Sequence, residues 1–221
     1  VKKTVIILSG GIDSTTLAYY LKVKGHDLHA LTFNYGQKQK KEISAALTIV
    51  KQLKIPHRVV DISSVKELLK SALTKSDIEI PHGHYAAKNM KSTVVPNRNM
   101  IMLSIAAGYA SSIKAKNVAF AAHGGDHFIY ADCRPLFVNS MCRVLMASFF
   151  DDKNVPQVIA PFINMDKTDI VKIGHMLKVP FKLTWSCYKG LKKHCGVCGT
   201  CVERKEAFKK SGISDPTKYE Q

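Results

Sequence analysis

"VIILSGGIDSTTLAYYLKVKG", Val5 to Gly25, decides the fold. Val5-Ile6-Ile7 is a short β-branched run, and Thr4 to Leu8 reads as a first strand. From Ser14 to Lys24, Leu17, Ala18 and Leu21 share one helical face, and Gly25 stands where such a helix would end. Between strand and helix lie Ser9-Gly10-Gly11-Ile12-Asp13-Ser14. A strand that turns through glycines into a helix is a ready anion site, because backbone N–H groups and the helix dipole point at the same spot. There is no lysine in the stretch, so it is not the G-x-x-x-x-G-K-[ST] loop.

The same alternation continues outward. Leu28 to Phe33 reads as a second strand and Lys38 to Leu53 as a helix, with Ile43, Ala46, Leu47 and Val50 at helical spacing. Pro56 follows, and His57 to Ile62 is a third strand. This βαβαβ order predicts an α/β fold with a right-handed, doubly wound parallel sheet. Further on come a helix over Arg98 to Ile113, a strand over Asn117 to Ala122 and a helix within Asp132 to Phe150. A short strand over Gln157 to Ala160 and a helix over Lys167 to Leu177, capped by Asp166, complete the pattern. Asp77 to Thr93, with Pro81, Gly83 and two histidines, reads as a long loop, one use of which is a lid. The expected division is an α/β domain over 1–180 and a small cysteine-rich C-terminal appendage with a terminal helix over 181–221.

A chain of 221 residues is long enough to bury a core without staples. No apolar run reaches the ~20 residues of a membrane span, and no signal peptide is visible, so the expected place is the cytoplasm and the expected cysteine state is thiol or metal ligand. The formal charge of +16 invites a nucleic-acid reading or, equally, a lysine-rich surface around anionic ligands. Aromatics do not interleave with the basic residues as on a stacking platform, and no obligate nucleic-acid partner is expected.

In the loop, Gly10 and Gly11 let the backbone approach phosphates, and Ser9, Ser14 and Thr15 add hydroxyls. Asp13 repels phosphate unless it holds Mg²⁺; otherwise it is an ordinary acid at a helix N-terminus. Four cysteines, Cys187, Cys195, Cys198 and Cys201, have the spacing C-x7-C-x2-C-x2-C. That spacing suits tetrahedral Zn²⁺, with an iron–sulfur cluster or redox-active cysteines as the other readings. Cys133 and Cys142 lack the spacing and read as ordinary thiols. His194 reads as a solvent neighbour of Cys195, and Trp185 as packing between the cysteine unit and the main domain.

Ser9 to Ser14 resembles the S-G-G-x-D-[ST] pyrophosphate loop (PP-loop) of the N-type ATP pyrophosphatases, which include GMP, NAD and argininosuccinate synthetases and tRNA lysidine and thiolation enzymes. The rest of the chain resembles the 7-cyano-7-deazaguanine synthase family of queuosine biosynthesis. The residues that carry this are Phe33-Asn34-Tyr35-Gly36-Gln37, Val95-Pro96-Asn97-Arg98-Asn99, Asp132-Cys133-Arg134-Pro135, Lys167-Thr168-Asp169-Ile170, Thr184-Trp185-Ser186-Cys187-Tyr188 and the four cysteines. Tyr130-Ala131-Asp132 departs from the pattern, with alanine in place of proline.

The resemblance implies an ATP-dependent carbon–nitrogen ligase that turns 7-carboxy-7-deazaguanine and ammonia into 7-cyano-7-deazaguanine through an adenylate and an amide. It implies one structural Zn²⁺ on Cys187, Cys195, Cys198 and Cys201, Mg²⁺ with ATP as substrate, and a homodimer. ATP is expected along Leu8, Ser9, Gly10, Gly11, Ile12, Asp13, Ser14, Thr15, Thr16, Leu17 and Ala18. Asp13, Ser14, Arg98 and Lys167 are the expected catalytic residues, and Asp126, Asp132 and Arg134 the expected contacts to the base. Lys167 has the wrong sign for a first-turn helix residue, which favours a ligand role. His123 and His127 read as general bases or polar loop residues, and Gln37 and Lys38 as contacts to ATP or solvent. The segment Val138 to Phe150, with Met141, Leu145, Met146, Phe149 and Phe150, reads as core or as part of a dimer interface. Other readings are an ammonia-dependent amidating enzyme like NAD synthetase, or a tRNA-modifying PP-loop protein.

Overall fold

The computed structural model describes residues 1–75, 77–83, 88–149 and 155–220. Five parallel strands form one sheet in the order β3-β2-β1-β4-β5. They are β1 (Lys3–Ile7), β2 (Asp27–Asn34), β3 (His57–Asp61), β4 (Asn117–Ala119) and β5 (Gln157–Ile159). The helices are α1 (Ile12–Val23), α2 (Lys41–Leu53), α3 (Arg98–Ser112), α4 (Pro135–Ser148), α5 (Lys167–Met176) and α6 (Gly199–Ser211).

Alternation along the strands builds two cores. Val5, Leu31 and Val118 face one side and join residues of α3 and α4, among them Leu103, Ala106, Met141 and Leu145. Ile6, Ala30 and Ala119 face the other and join Leu17, Ala46, Ile49, Ile170 and Phe208 of α1, α2, α5 and α6. Successive side chains of a strand point to opposite faces, so the central strands of a sheet buried on both sides are largely apolar on both. The doubly wound reading therefore holds. The strand order reverses between β1 and β4, both paired in register, Val5 with Val118. Such a switch point opens a crevice beyond the carboxyl ends of the strands, where ligands of open α/β sheets bind.

Most expected elements recur, shifted by a few residues. The second helix starts at Lys41, not Lys38, because two glutamines brace the turn before it. Gln37 Oε1 accepts from Tyr35 N at 2.9 Å while its amide donates to Phe33 O. Gln39 Oε1 accepts from Glu42 N. Pro135 opens α4, a position where its missing N–H costs nothing. Residues 84–87 of the expected loop and Phe150 of the expected helix lie outside the described residues. In α4, Met141 and Leu145 are core, Met146 is exposed and Phe149 packs at the edge of the core. Among the described residues no helix is long and apolar enough to cross a membrane.

Candidate active site and cysteine centre

The turn after β1 and the start of α1 form the floor of a cavity at the switch point. Its shape is held by a hydroxyl pair: Ser9 Oγ and Ser14 Oγ are 3.0 Å apart, and Ser9 N donates to Ser14 Oγ. Gly11 precedes the helix and provides no side-chain cap, so the first N–H groups of α1 face the cavity without the usual acceptor. The two glycines have different reasons. Gly10 sits at φ +83°, and a Cβ there would lie 2.5 Å from Glu42 O and 2.6 Å from Ala46 N. Its freedom serves the packing of the loop against α2. Gly11 lines the cavity, and a Cβ there would meet nothing closer than 3.5 Å.

A cluster of charged groups from four segments closes one side. Lys167 Nζ lies 3.3 Å from Asp13 Oδ2 and 2.5 Å from Glu203 Oε2. Burial works against the Lys167 ammonium, but Asp13, Glu203 and Asp126 more than offset it and hold its pKa well above the ordinary value. Burial raises the pKa of Glu203, with Lys167 pulling the other way. His123 is 1% exposed. Its Nδ1 accepts from Gly125 N at 3.1 Å, which assigns the ring proton to Nε2. That Nε2 faces Asp126 Oδ2 at 3.6 Å and Asp13 Oδ2 at 3.8 Å. The other oxygen, Asp13 Oδ1, is buried without a hydrogen-bond partner among the described residues. An orphaned buried carboxylate oxygen is costly unless something binds it, and a hard divalent cation such as Mg²⁺ suits an oxygen donor at an anion site.

Arg98 opens α3 and lines the cavity, its guanidinium 5.7 Å from the centre of the Tyr35 ring. Burial disfavours its charge, yet Tyr35, Tyr130, Asp132 and Cys133 around it hold the pKa above normal. Glu42 lines the same cavity, and burial pushes its pKa up to about 7 against the pull of Arg98 and Gln39.

The expected site residues are thus only partly brought together. Leu8, Ser9, Gly11, Ile12, Asp13, Ser14, Arg98, Asp126 and Lys167 line the cavity. Thr15, Thr16, Leu17 and Ala18 are buried in the body of α1. Asp132 accepts from Asn99 N at 3.0 Å and so braces the first turn of α3. Arg134 is exposed and donates to His127 O, away from the cavity. Gln37 does line the cavity, but both ends of its amide are engaged by backbone. Lys38 Nζ donates to Ile78 O. Glu203 and Glu42 were not among the expected site residues, and Tyr35 and Tyr188, which line the cavity, were expected only as marks of the family.

Cys187, Cys195, Cys198 and Cys201 are all buried, with Sγ atoms within 4.8 Å of one another. Cys195 N donates to Cys187 Sγ at 3.3 Å and Cys198 N to Cys195 Sγ at 3.4 Å. Gly196 at φ +77° makes the knuckle between them possible. A buried set of four thiols, with N–H groups directed at sulfur, fits a metal ion. His194 is not the solvent neighbour expected. It is 4% exposed, accepts from Ser186 N through Nε2 and packs on the Trp185 ring, 4.2 Å between centres. Burial and the nearby Arg204 cation hold its pKa down to about 4. Trp185 joins the two regions, since its backbone N donates to Gly10 O at 2.9 Å and its indole N–H to Cys187 O.

A parallel sheet with a glycine–aspartate loop at its switch point and a four-cysteine centre beside it defines an α/β protein of the PP-loop type. Solved structures agree on the fold. A 4-thiouridine synthetase, solved as an RNA complex with bound ATP, superposes with a TM-score of 0.57 at 17% identity, over 96% of this chain and 50% of that one. The U34-tRNA thiolase NcsA from Methanococcus maripaludis, with its [4Fe-4S] cluster, gives 0.50 at 17% identity, over 96% of this chain and 65% of that one.

The chain belongs to the family described as queuosine biosynthesis protein QueC, whose model matches residues 3–212. It is 50% identical over 218 residues to the 7-cyano-7-deazaguanine synthase of Caldicellulosiruptor saccharolyticus, covering 99% of this chain and 96% of that protein. It is also 50% identical to the synthase of the same name from Methanoregula boonei, covering 99% of both. A role in queuosine biosynthesis follows.

Proposed function

We propose that the protein is an ATP-dependent ligase that converts 7-carboxy-7-deazaguanine and ammonia to 7-cyano-7-deazaguanine. The relatives' name supports the product. The observation that carries the chemistry is the orphaned Asp13 Oδ1 beside Lys167 at the start of α1. Bound there, Mg²⁺ would screen phosphate charge and stabilise departing pyrophosphate. The N–H groups of the turn and the Ser9 and Ser14 hydroxyls orient the same phosphates.

A carboxylate is a poor electrophile, because its leaving group would be oxide. Attack of a carboxylate oxygen on the α-phosphorus of ATP releases pyrophosphate and gives a mixed anhydride. Ammonia then displaces AMP, loses a proton and leaves the amide. The amide oxygen attacks a second ATP, and loss of AMP with the remaining N–H protons gives the nitrile. Lys167 and Arg98 provide fixed positive charge for the α-phosphate as negative charge develops. Asp126 lines the same cavity and supplies an acceptor for the amino edge of the base.

For the cysteine centre we infer one structural Zn²⁺. Zn–S bonds of ~2.3 Å in a tetrahedron place sulfurs ~3.8 Å apart, compatible with the observed spacing, and a four-iron cluster spreads its thiolates wider. A set of four sulfurs leaves no open position, so its part is to hold structure.

The test is direct. Purified protein with ATP, Mg²⁺, ammonium and 7-carboxy-7-deazaguanine yields the nitrile, with two AMP and two pyrophosphate per nitrile by chromatography and mass spectrometry. Formation of ADP and phosphate would sink the reading of the loop.

A further inference from the structure

Glu203 has no place in the scheme above, yet it is the nearest group to Lys167. It lies on α6, between Cys201 and Arg204, both 0% exposed. Cys198 caps that helix and Cys201 sits in its first turn. The next turn is fixed by Arg204, which donates to Asp215, Thr184 and Phe181 O. The carboxylate therefore stands on a base held from both sides, one by the cysteine centre and the other by a buried ion pair.

The opposite face has made room for it. A Cβ on Gly125 would lie 3.2 Å from Glu203 Oε1 and 3.0 Å from His123 Cε1, and a Cβ on Gly124 would lie 3.0 Å from Met165 O. The two glycines after β4 let the backbone, the His123 ring and the Glu203 carboxylate crowd together. On α5, Lys167 stands in the first turn, where the helix dipole repels a cation. Asp13 alone would draw its ammonium down onto the phosphate loop. Glu203, at the shorter distance, competes with Asp13 for it.

We propose that Glu203 is a positioning residue for Lys167. It draws the ammonium toward itself and limits its contact with Asp13 to Oδ2, so that Asp13 Oδ1 stays open to a cation and the ammonium keeps its place beside the phosphate loop. By this route, and through the Trp185 N–H on Gly10 O, the cysteine centre sets the geometry of the phosphate loop. The proposal rests on the reading that Lys167 serves nucleotide phosphates.

Electrostatics and positioning make opposite forecasts for ATP. Loss of a carboxylate near a polyanion favours binding, whereas loss of placement slows the chemical step. In Glu203→Gln the amide oxygen still accepts from Lys167, and in Glu203→Ala nothing does. The measurements are metal content, melting temperature, Kd for α,β-methylene-ATP, and kcat and KM for ATP. The expected result is retained metal, KM and Kd within about threefold of wild type or tighter, and kcat lowered tenfold or more in Ala, with Gln between Ala and wild type. Wild-type kcat in a metal-replete Ala variant overturns the proposal. So does a fall in kcat that appears only where metal is lost, or a fall in kcat/KM carried by KM. If Ala fails to fold, Gln is read alone, and wild-type kcat there overturns the proposal. Should the wild-type protein itself not bind α,β-methylene-ATP, it is the underlying reading of the phosphate site that fails.

Discussion

Asp215 is the acid on which the C-terminal segment depends most, and its removal gives a measurable prediction. Arg204 is 0% exposed. Its Nε donates to both carboxylate oxygens of Asp215 at 3.2 Å and its Nη2 to Oδ1 at 3.0 Å. Asp215 also accepts from Tyr219 Oη at 2.6 Å and Thr217 N at 3.0 Å. Among the described residues, Asp215→Ala leaves the buried guanidinium with Thr184, Ser186 and Phe181 O as acceptors. Removing one partner of a buried pair costs about 3–5 kcal/mol, chiefly through the charge left behind. For a chain of this size each kcal/mol shifts the melting temperature by about 2–4 °C, so a fall of roughly 6–20 °C is expected.

The pH dependence has a definite sign. Burial raises the Asp215 pKa, but the hydrogen bonds and charge of Arg204, with Tyr219 and Thr217, outweigh it and leave the folded value depressed. A depressed carboxyl contributes stability that is present above the unfolded value of ~3.9 and is lost as pH falls through the folded value. Urea unfolding of wild type and Asp215→Asn should therefore differ by a constant amount from pH 8 to 5 and converge below pH ~4. A cost under ~1 kcal/mol at pH 7, typical of an exposed pair, refutes the reasoning, as does a gap that persists unchanged to pH 3.

Three glycine substitutions test the packing around the loop and the helices behind it. Gly10→Ala puts a Cβ into the backbone of α2 at a positive φ, so it should lose about 3 kcal/mol or more in urea unfolding; Gly11→Ala should cost under ~1 kcal/mol yet weaken α,β-methylene-ATP binding by calorimetry. Gly174→Ala meets Phe181 Cζ at 2.5 Å and Thr16 Oγ1 at 2.9 Å, and should cost ~1–3 kcal/mol despite better helix propensity, with Phe181→Leu in the same chain recovering part of it.

The sheet was legible because short apolar runs, such as the β-branched Val5-Ile6-Ile7 or Val59-Val60, are set between helical patterns. The loop was legible because a strand, two glycines and an aspartate sit within one short window. Element ends were less so, since they depend on side-chain braces such as Gln37 and Gln39, which look in sequence like any polar helix start. Glu203 was invisible for a different reason. It sits among Val202, Arg204, Lys205 and Glu206, where nothing distinguishes a buried acid from a solvated one. Its burial is decided by Lys167, 36 residues away. His194 misled in the opposite direction: three lysines close by suggested solvent, while Trp185 and Tyr219 enclose it. Asp132 and Arg134 were attractive from their place after β4, but the short turn there directs one to the backbone of α3 and the other outward.

The glycine loop and the cysteine-bearing segment, far apart in sequence, meet at one cavity, which Trp185, Ser186, Tyr188 and Thr200 help to line. The loop is gripped at Gly10 O by the residue two before Cys187. Its aspartate faces a lysine from α5, and that lysine is held by a glutamate two residues after Cys201. A phosphate loop can be rigid only where its neighbours are, and here the neighbours are a short strand end, a helix start and a loop. Leu8 and Ile12 anchor the ends of the loop in the core, and the buried cysteine cluster and the arginine–aspartate pair fix the segment that meets its polar side. If the proposed function holds, the C-terminal segment is part of the catalytic unit, and a chain cut before Cys187 is expected to lose ATP binding along with the four-cysteine cluster.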